Sequence, residues 1–581
     1  MDIREVTSLA PSDRAAFGDK AALLALAASV GLPVPPAFVV AAHAERPPRG
    51  EARVAIQAAL SGLEAAEGRR LGEGLCVAVR PSSDQGQPGL HPTILDAGAS
   101  RDALGHLTDL LGGRAAALDA RARFLRGLSR ARGGGGPWAS VRGSRGASSP
   151  GVEELEAETA RLERQLGLEA ATADEELFAA IQAVAGHGLP VIVQAMRFGT
   201  SRRGISGAGT ASSRHPITGE PVIFGEIAWD RQGEDVSLGR GAGVSLRRAA
   251  AGRRGDESLE ARAPGLLATL TEALAVAERA LDAVADLEIV VDAGQLFVVQ
   301  LRASVLTPRA EVRTLVDRAE SGTLTRAEAV RRVRLETMAR VGRVELVPEG
   351  ELPGGSASVL GRGLGASPGA ASGRVAIDVQ DAIARAGAGE SVVLVRSDAS
   401  PEDAPAVRAA VAVATASGGL TSHAAVMSRA LGKPCAVSVS SLRIRGGDVF
   451  VERSGQPPER LVAGDLVTVD GTRGLLVSGV APTRWVADDD TPGRLSSWAR
   501  EMSAVRILVP EEGGGDPGAR ARALGADGVW NGRTVIDLSG SERPEWGEPS
   551  AWGGPPATLP RSDLLVVPAG LVAAARVAAA S

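Results

Sequence analysis

Tyrosine is absent from this chain of 581 residues, and lysine nearly so: among 64 basic residues only Lys20 and Lys433 are lysines. With Ala and Gly abundant as well, the bias reads as that of a GC-rich genome that replaces lysine wherever a planar guanidinium serves. A lysine that persists then marks a place needing a compact ammonium, which points to Lys20. Cysteine is scarce too; Cys76 and Cys435 stand alone, which argues against a disulfide framework. Neither sign of charge dominates. The formal net charge is −5 with acids and bases interleaved, so no basic face calls for nucleic acid. No run approaches the roughly 20 apolar residues of a membrane helix, and the start MDIREVTSLAPSD lacks the apolar core of a secretory leader. The expectation is a cytoplasmic protein that binds neither nucleic acid nor membrane.

The length suffices for three or four domains. Residues 1–345 mix amphipathic helical stretches (Leu23 to Leu32, Ala103 to Leu128, Val152 to Leu166, Gly265 to Val284) with short runs such as CVAVR and VIVQAM. LEIVVDAGQLFVVQL reads as two strands joined across Asp292-Ala293-Gly294, a hairpin signal. This mixture predicts an α+β unit with antiparallel pairs. Residues 132–150 (RGGGGPWASVRGSRGASSP) read as a flexible surface insert, and Pro348 to Gly373 as a Gly/Pro/Ser-rich separator. In residues 355–480, strands RVAIDV, SVVLVR, AAVAVAT and LVTVDG alternate with helices, which predicts a compact α/β domain. Ser478 to Gly493 reads as a further linker, and residues 494–581 as two or three β/α units.

The stretch GGLTSHAAVMSRALGKPC, Gly418 to Cys435, carries most of the chemistry. An imidazole is a competent nucleophile near neutral pH, and the phosphoramidate it forms transfers readily, so His423 suits a covalent phosphate carrier. Gly418 and Gly419 let the backbone approach a bulky anion, and Thr421 and Ser422 offer hydroxyls. The following small-residue run, with Arg429, reads as a helix whose N-terminus faces the same spot with amide donors. A lone histidine in an Ala-rich segment is also what a satisfied structural residue looks like.

The motif closely resembles the phosphohistidine segment of phosphoenolpyruvate-utilising enzymes, most of all the pyruvate, phosphate dikinase family, in which the histidine matching His423 is phosphorylated. The resemblance extends upstream. FGDKAALLALAASVGLPVPPAFVV contributes Lys20, CVAVRPSSDQGQPGLHPTILDAG contributes Arg80, and VIVQAMRFGTSRRGISGAGTASSRHPITGEPVIFGEIAWDRQGEDVSLG contributes Glu226 and Glu234. DLEIVVDAGQLFVVQLR contributes Asp286, Glu288, Gln300 and Arg302, and ARFLRG contributes Arg123. It implies an ATP-grasp nucleotide-binding domain over 1–345, with ATP and Mg²⁺ as cofactors. Asp286 and Glu288, two apart on a strand, would serve as metal ligands, and Lys20 and Arg80 as phosphate neutralisers. Each pair alone also matches a solvated strand face. The pattern departs from the family at Ala21, where a glycine is usual, and at His91-Pro92.

The resemblance further implies that 355–480 is a swivelling phosphohistidine α/β domain. The family ends in a (β/α)₈ barrel of about 200 to 250 residues, whereas 88 residues follow Gly493. RALGADGVWNGRTVIDL looks like the start of such a barrel, with Arg533 on a phosphate-binding position and Val535 and Ile536 where an acidic residue and a histidine are expected. The tail therefore reads as a short barrel remnant. The expected activity is an ATP-dependent phosphotransferase: ATP phosphorylates His423, which serves inorganic phosphate and a small-molecule acceptor, pyruvate or another. A separate barrel-containing chain and a homodimer are open as partners. A non-catalytic phosphohistidine regulator or scaffold and an inactive paralogue are the alternatives.

Overall fold

The structure is a computed structural model that describes residues 2–42, 49–82, 93–133, 151–186, 188–201, 203–233, 243–248, 255–334, 337–338, 340–347, 358–399, 403–445, 448–452, 457–486, 491–502, 507–508, 528–530 and 535–537. The chain is a mixed α/β, multidomain structure with several sheets. The insert 134–150, His91-Pro92, Glu234 and Arg533 lie outside the described residues.

Two five-stranded antiparallel sheets form the N-terminal part. The first orders strands Ile3–Glu5, Ala37–Val40, Val191–Ala195, Val77–Pro81 and Ile94–Ala97, and the second Val244–Ser245, Phe224–Trp229, Gly207–Ser212, Ala285–Asp292 and Gln295–Ala303. The last two strands are the expected hairpin. Ala293 and Gly294 both take positive φ, 50° and 87°, as a tight turn matched to strand twist requires. Its register pairs Asp286 with Arg302 and Glu288 with Gln300. The expected helix over 103–128 is instead two, Leu104–Leu111 and Arg114–Ala131, because Gly112 ends the first in the left-handed conformation. The helices Val152–Leu166 and Pro264–Leu281 follow the amphipathic pattern closely.

An eight-stranded sheet comes next in the chain, with strands Ala370–Ala376, Val392–Arg396, Ala412–Thr415 and Cys435–Val437 running parallel at its centre. Two segments read as linkers contain strands. Val359–Arg362 and Leu364–Ser367 lie inside the supposed separator and are edge strands of this sheet. Its glycines serve close packing: a Cβ at Gly365 would fall 2.5 Å from the Thr472 carbonyl oxygen. Thr483–Val486, inside the supposed second linker, pairs antiparallel with Arg343–Leu346 as a two-stranded ribbon. Beyond it, helix Thr491–Met502 returns to bury Leu495 and Trp498 against helices Pro308–Glu320 and Arg326–Arg332. In the tail, Ile507–Leu508 and Gly528–Trp530 pair in parallel and Gly528–Trp530 and Val535–Asp537 antiparallel. A (β/α)₈ barrel pairs every neighbour in parallel. Among the described residues no helix is long and apolar enough to cross a membrane.

A backbone kink beside the first sheet positions Lys20. Helix Arg14–Ser29 bends at Gly18 (φ 79°), where a Cβ would lie 2.1 Å from the Ser82 carbonyl oxygen, and the Ala21 amide donates to Ser82 Oγ at 3.0 Å. This contact sets Lys20, on the turn after the kink, beside the end of the strand that carries Arg80. Replacing Gly18 with alanine combines an unfavourable φ with a backbone clash. It should lower stability by roughly 2 kcal/mol or more, read as a fall in the urea midpoint of unfolding.

Candidate functional site

Alternation along strand Val77–Pro81 turns Arg80 out of the first sheet toward the second. Its guanidinium crosses the seam: Nη1 donates to the Val299 carbonyl (2.8 Å) and, at 3.4 Å, to Gln194 Oε1, while Nη2 donates to Gln300 Oε1 (2.6 Å) and Glu288 Oε2 (3.2 Å). On the second sheet the registers align two rows across the strands. One is Glu226, Thr210, Glu288 and Gln300; the next is Phe224, Ser212, Asp286 and Arg302. Residues two apart share a face, so the hairpin brings the predicted couples side by side. Arg302 Nε lies 3.5 Å from Asp286 Oδ2 and its Nη1 3.8 Å from Glu288 Oε1.

Lys20 joins this group. Burial and the positive charges of Arg80 and Arg302, partly offset by Glu288, pull its ammonium down to about 8. Burial pushes the Glu288 carboxyl up, but Arg80, Arg302 and Lys20 outweigh it and hold that group below its ordinary range. Three cations thus face two carboxylates, an imbalance that favours an added anion. Gln194, which the sequence alone did not single out, belongs here as well. It is 2% exposed, and its amide nitrogen has no hydrogen-bond partner among the described residues. The signal was the single polar residue in the apolar run VIVQAM. Arg123 takes a different place: its described partners are buried Asp96 (2.8 Å) and Asp119, neither a member of the Arg80 group.

The second lysine answers the same question differently. Lys433 Nζ donates to the Arg408 and Ala410 carbonyls at 3.0 and 2.5 Å, closing the end of helix Ala404–Ala409 with a compact ammonium.

In the eight-stranded sheet, the loop leaving parallel strand Ala412–Thr415 leads into helix His423–Leu431. Loops at the C-terminal ends of parallel strands are where such sheets hold ligands. His423, half-buried, is the first helical residue, and Ser422 caps it by accepting from the Ala425 amide at 3.5 Å. Gly418 sits at φ 100°, and Thr421 is half-buried beside it. Arg429, read with the phosphohistidine loop, is buried and donates to the Leu420 and Ala366 carbonyls at 2.9 and 3.0 Å, so it braces the loop backbone. Burial is the main force pulling its guanidinium down to about 10; Asp286 and Glu226 oppose it and Arg302 adds to it.

The loop rests on the second sheet. Glu226 Oε1 accepts from the Leu420 amide at 3.0 Å, and a Cβ on Gly419 would fall 2.1 Å from Glu226 Oε2. A side chain there would push this carboxylate aside. Burial raises the Glu226 carboxyl, while the Leu420 N–H and Arg429 favour its charged form. Glu226 and Glu288 are two strands apart in one row, about 10 Å. The histidine loop and the Arg80 group therefore share one face of one sheet. Among the described residues no group of three or more potential ligands could hold a metal ion by itself.

The segment that carries this histidine loop matches a known family. The family described as PEP-utilising enzyme, mobile domain, matches residues 388–474, which include the His423 loop and helix. Over a longer span the chain is similar to pyruvate, phosphate dikinase of Rhizobium meliloti (strain 1021), 29% identical over 90% of this chain and 62% of that protein. It is similar also to pyruvate, phosphate dikinase 2 of Oryza sativa subsp. japonica, at 28% identity over 89% of this chain and 61% of that protein. Pyruvate, phosphate dikinase of Clostridium symbiosum matches 60% of the chain at 30% identity, and 38% of its own length. The chain is thus pyruvate, phosphate dikinase-like, and it spans less than two thirds of the length of these relatives.

The depressed Lys20 has a thermodynamic consequence. Its folded pKa of about 8 lies below the unfolded value of 10.5, so between these values the unfolded chain binds more protons and stability rises with pH. Replacing Lys20 with methionine should therefore stabilise the protein most at about pH 7. That advantage should shrink toward pH 10, as urea unfolding at the two pH values will read; a constant difference would contradict the assignment.

Proposed function

We propose that the chain is an ATP-dependent phosphotransferase of the dikinase type, acting in the cytoplasm, in which His423 is the covalent phosphate carrier. The contact that carries this reading is the one between Glu226 and Leu420: it seats the histidine loop on the sheet face that bears Asp286, Glu288, Gln300 and Arg302, which Arg80 reaches from across the seam with Lys20 beside it. In this reading the two antiparallel sheets, within residues 1–345, are an ATP-grasp nucleotide-binding domain. Residues 355–480 swivel, and 494–581 relate to the family's barrel.

ATP would lie in the seam that Arg80 crosses. Arg80, Lys20 and Arg302 neutralise its phosphate oxygens, the first and last as planar forks and the second as a point charge. The Gln194 amide supplies a further donor. Asp286 and Glu288 fit a magnesium ion, because Mg²⁺ is commonly held by one or two carboxylates plus substrate phosphates; bound there, it would spread the polyphosphate charge. The same two carboxylates are held by arginines here, and an entering triphosphate would take over those guanidiniums.

The His423 imidazole nitrogen attacks the β-phosphorus. A nitrogen–phosphorus bond forms as the bond to the α-bridging oxygen breaks, and AMP leaves. Inorganic phosphate then removes the outer phosphoryl as pyrophosphate, leaving phosphohistidine for transfer to pyruvate or another small acceptor. The helix N-terminus and the loop amides stabilise the charge arriving at His423. No observation favours the regulator or the inactive paralogue, since the charged set is assembled around its seam.

Incubation with β-³²P ATP, Mg²⁺ and phosphate tests this. Acid-labile label should remain on the intact protein and fall to background in His423→Ala. Absence of label on the intact protein, or equal label on the variant, would overturn the reading.

A further inference from the structure

Helix His423–Leu431 meets the N-terminal part of the chain at its far end too. Arg340 Nη2 lies 3.4 Å from the Leu431 carbonyl, and a Cβ on the left-handed cap Gly432 would fall 1.5 Å from that same nitrogen and 2.7 Å from Cζ. The guanidinium therefore reaches the bare Cα of the cap end-on, Nη2 first. A carboxylate from the second sheet stands at the loop leading into the helix, and a guanidinium stands at the helix exit. Both signs complement the macrodipole, which favours anions at the start and cations at the end. Both contacts are to backbone or to a glycine, so they fix where the helix sits without taking part in its chemistry.

Their separation gives the pair its use. Nine residues span about 13 Å of helix. The helix is packed into the core of the eight-stranded-sheet unit through Ala424 and Ala425, so a single anchor at Gly419–Leu420 leaves that unit free to turn about one point, and a second anchor one helix-length away removes the rotation. Arg340 also stands at the root of the two-stranded ribbon, three residues before Arg343, and Gly342 packs so tightly under the Trp485 indole that a Cβ would fall 2.1 Å from Cζ2. The anchor is thus tied to a packed element of the backbone, although its own side chain is exposed.

We propose that Arg340 is a positioning residue, the second of two docking points that hold the His423 helix in one orientation over the Arg80 group. The proposal rests on reading His423 as the phosphate carrier. Arg340 contacts neither nucleotide nor imidazole; it acts by fixing the helix that bears the imidazole.

The test uses the full chain with Arg340→Ala and Arg340→Lys. Exchange of the Leu420 amide hydrogen reports docking, because that N–H is covered by Glu226 of the other part of the molecule. Arg340→Ala should speed Leu420 exchange by about two- to five-fold, the range of a charge at a helix terminus. It should slow single-turnover labelling from saturating ATP by a similar factor and leave ATP affinity unchanged. Lysine should restore most of both, since a point charge suffices at a helix exit. If Arg340→Ala changes exchange only at Gly432 and Lys433 and leaves Leu420 alone, the residue is a local cap and the proposal is wrong. If Leu420 responds while the unaltered protein takes no label, the docking role stands and the phosphocarrier reading fails.

Discussion

Arg80 ties together two sheets that share no strand. Its four hydrogen bonds reach a backbone carbonyl, two amide oxygens and the Glu288 carboxylate, and three of the four land on the hairpin of the opposite sheet. A charge-assisted hydrogen bond contributes about 1.5 to 3 kcal/mol, and cutting one partner from a part-buried pair leaves the other charge exposed to a low dielectric. The seam therefore has a fixed width and a fixed set of charges. Lys20 is depressed because Arg80 and Arg302 are already there, and Glu288 stays ionised because three cations surround it.

The docking of the histidine loop uses the same sheet. Glu226 takes its place by the strand register that sets Glu288, so one row of residues serves the Arg80 group at one end and the loop at the other. The contact is specific through glycine and a main-chain amide. It is also weak enough to release, being one hydrogen bond to a carboxyl whose charge burial opposes. Under the proposed function, that balance suits a histidine loop that leaves the sheet once it is loaded.

Much of this was legible in the sequence, for reasons that differ by element. The hairpin was readable because alternation and Asp292-Ala293-Gly294 are local signals, and its register then placed Asp286, Glu288, Gln300 and Arg302 together. The His423 helix was readable from its run of small residues, while the Ser422 cap came from the structure. The helix break at Gly112-Gly113 was overridden by a continuous apolar pattern, although the two glycines stood in plain view. Glycine-rich strands 359–367 looked like a separator because composition cannot distinguish glycine used for close approach from glycine used for flexibility. Arg123 was read among the nucleotide contacts and Arg429 with the phosphohistidine loop; the structure pairs Arg123 with buried Asp96 and with Asp119, and Arg429 with backbone carbonyls. Glu226 to Leu420 spans 194 residues, and nothing local announces such a pair.

In the proposed function the seam crossed by Arg80 receives the polyphosphate of a nucleotide. Calorimetric titration with ATP and Mg²⁺ above about pH 8, in buffers of different ionisation heat, tests it directly. Binding should be coupled to proton uptake, because an arriving anion lifts Lys20 back toward its ordinary value, with the uptake lost in Lys20→Arg and the binding lost in Arg80→Gln. Binding that exchanges no proton and is indifferent to Arg80 would contradict it.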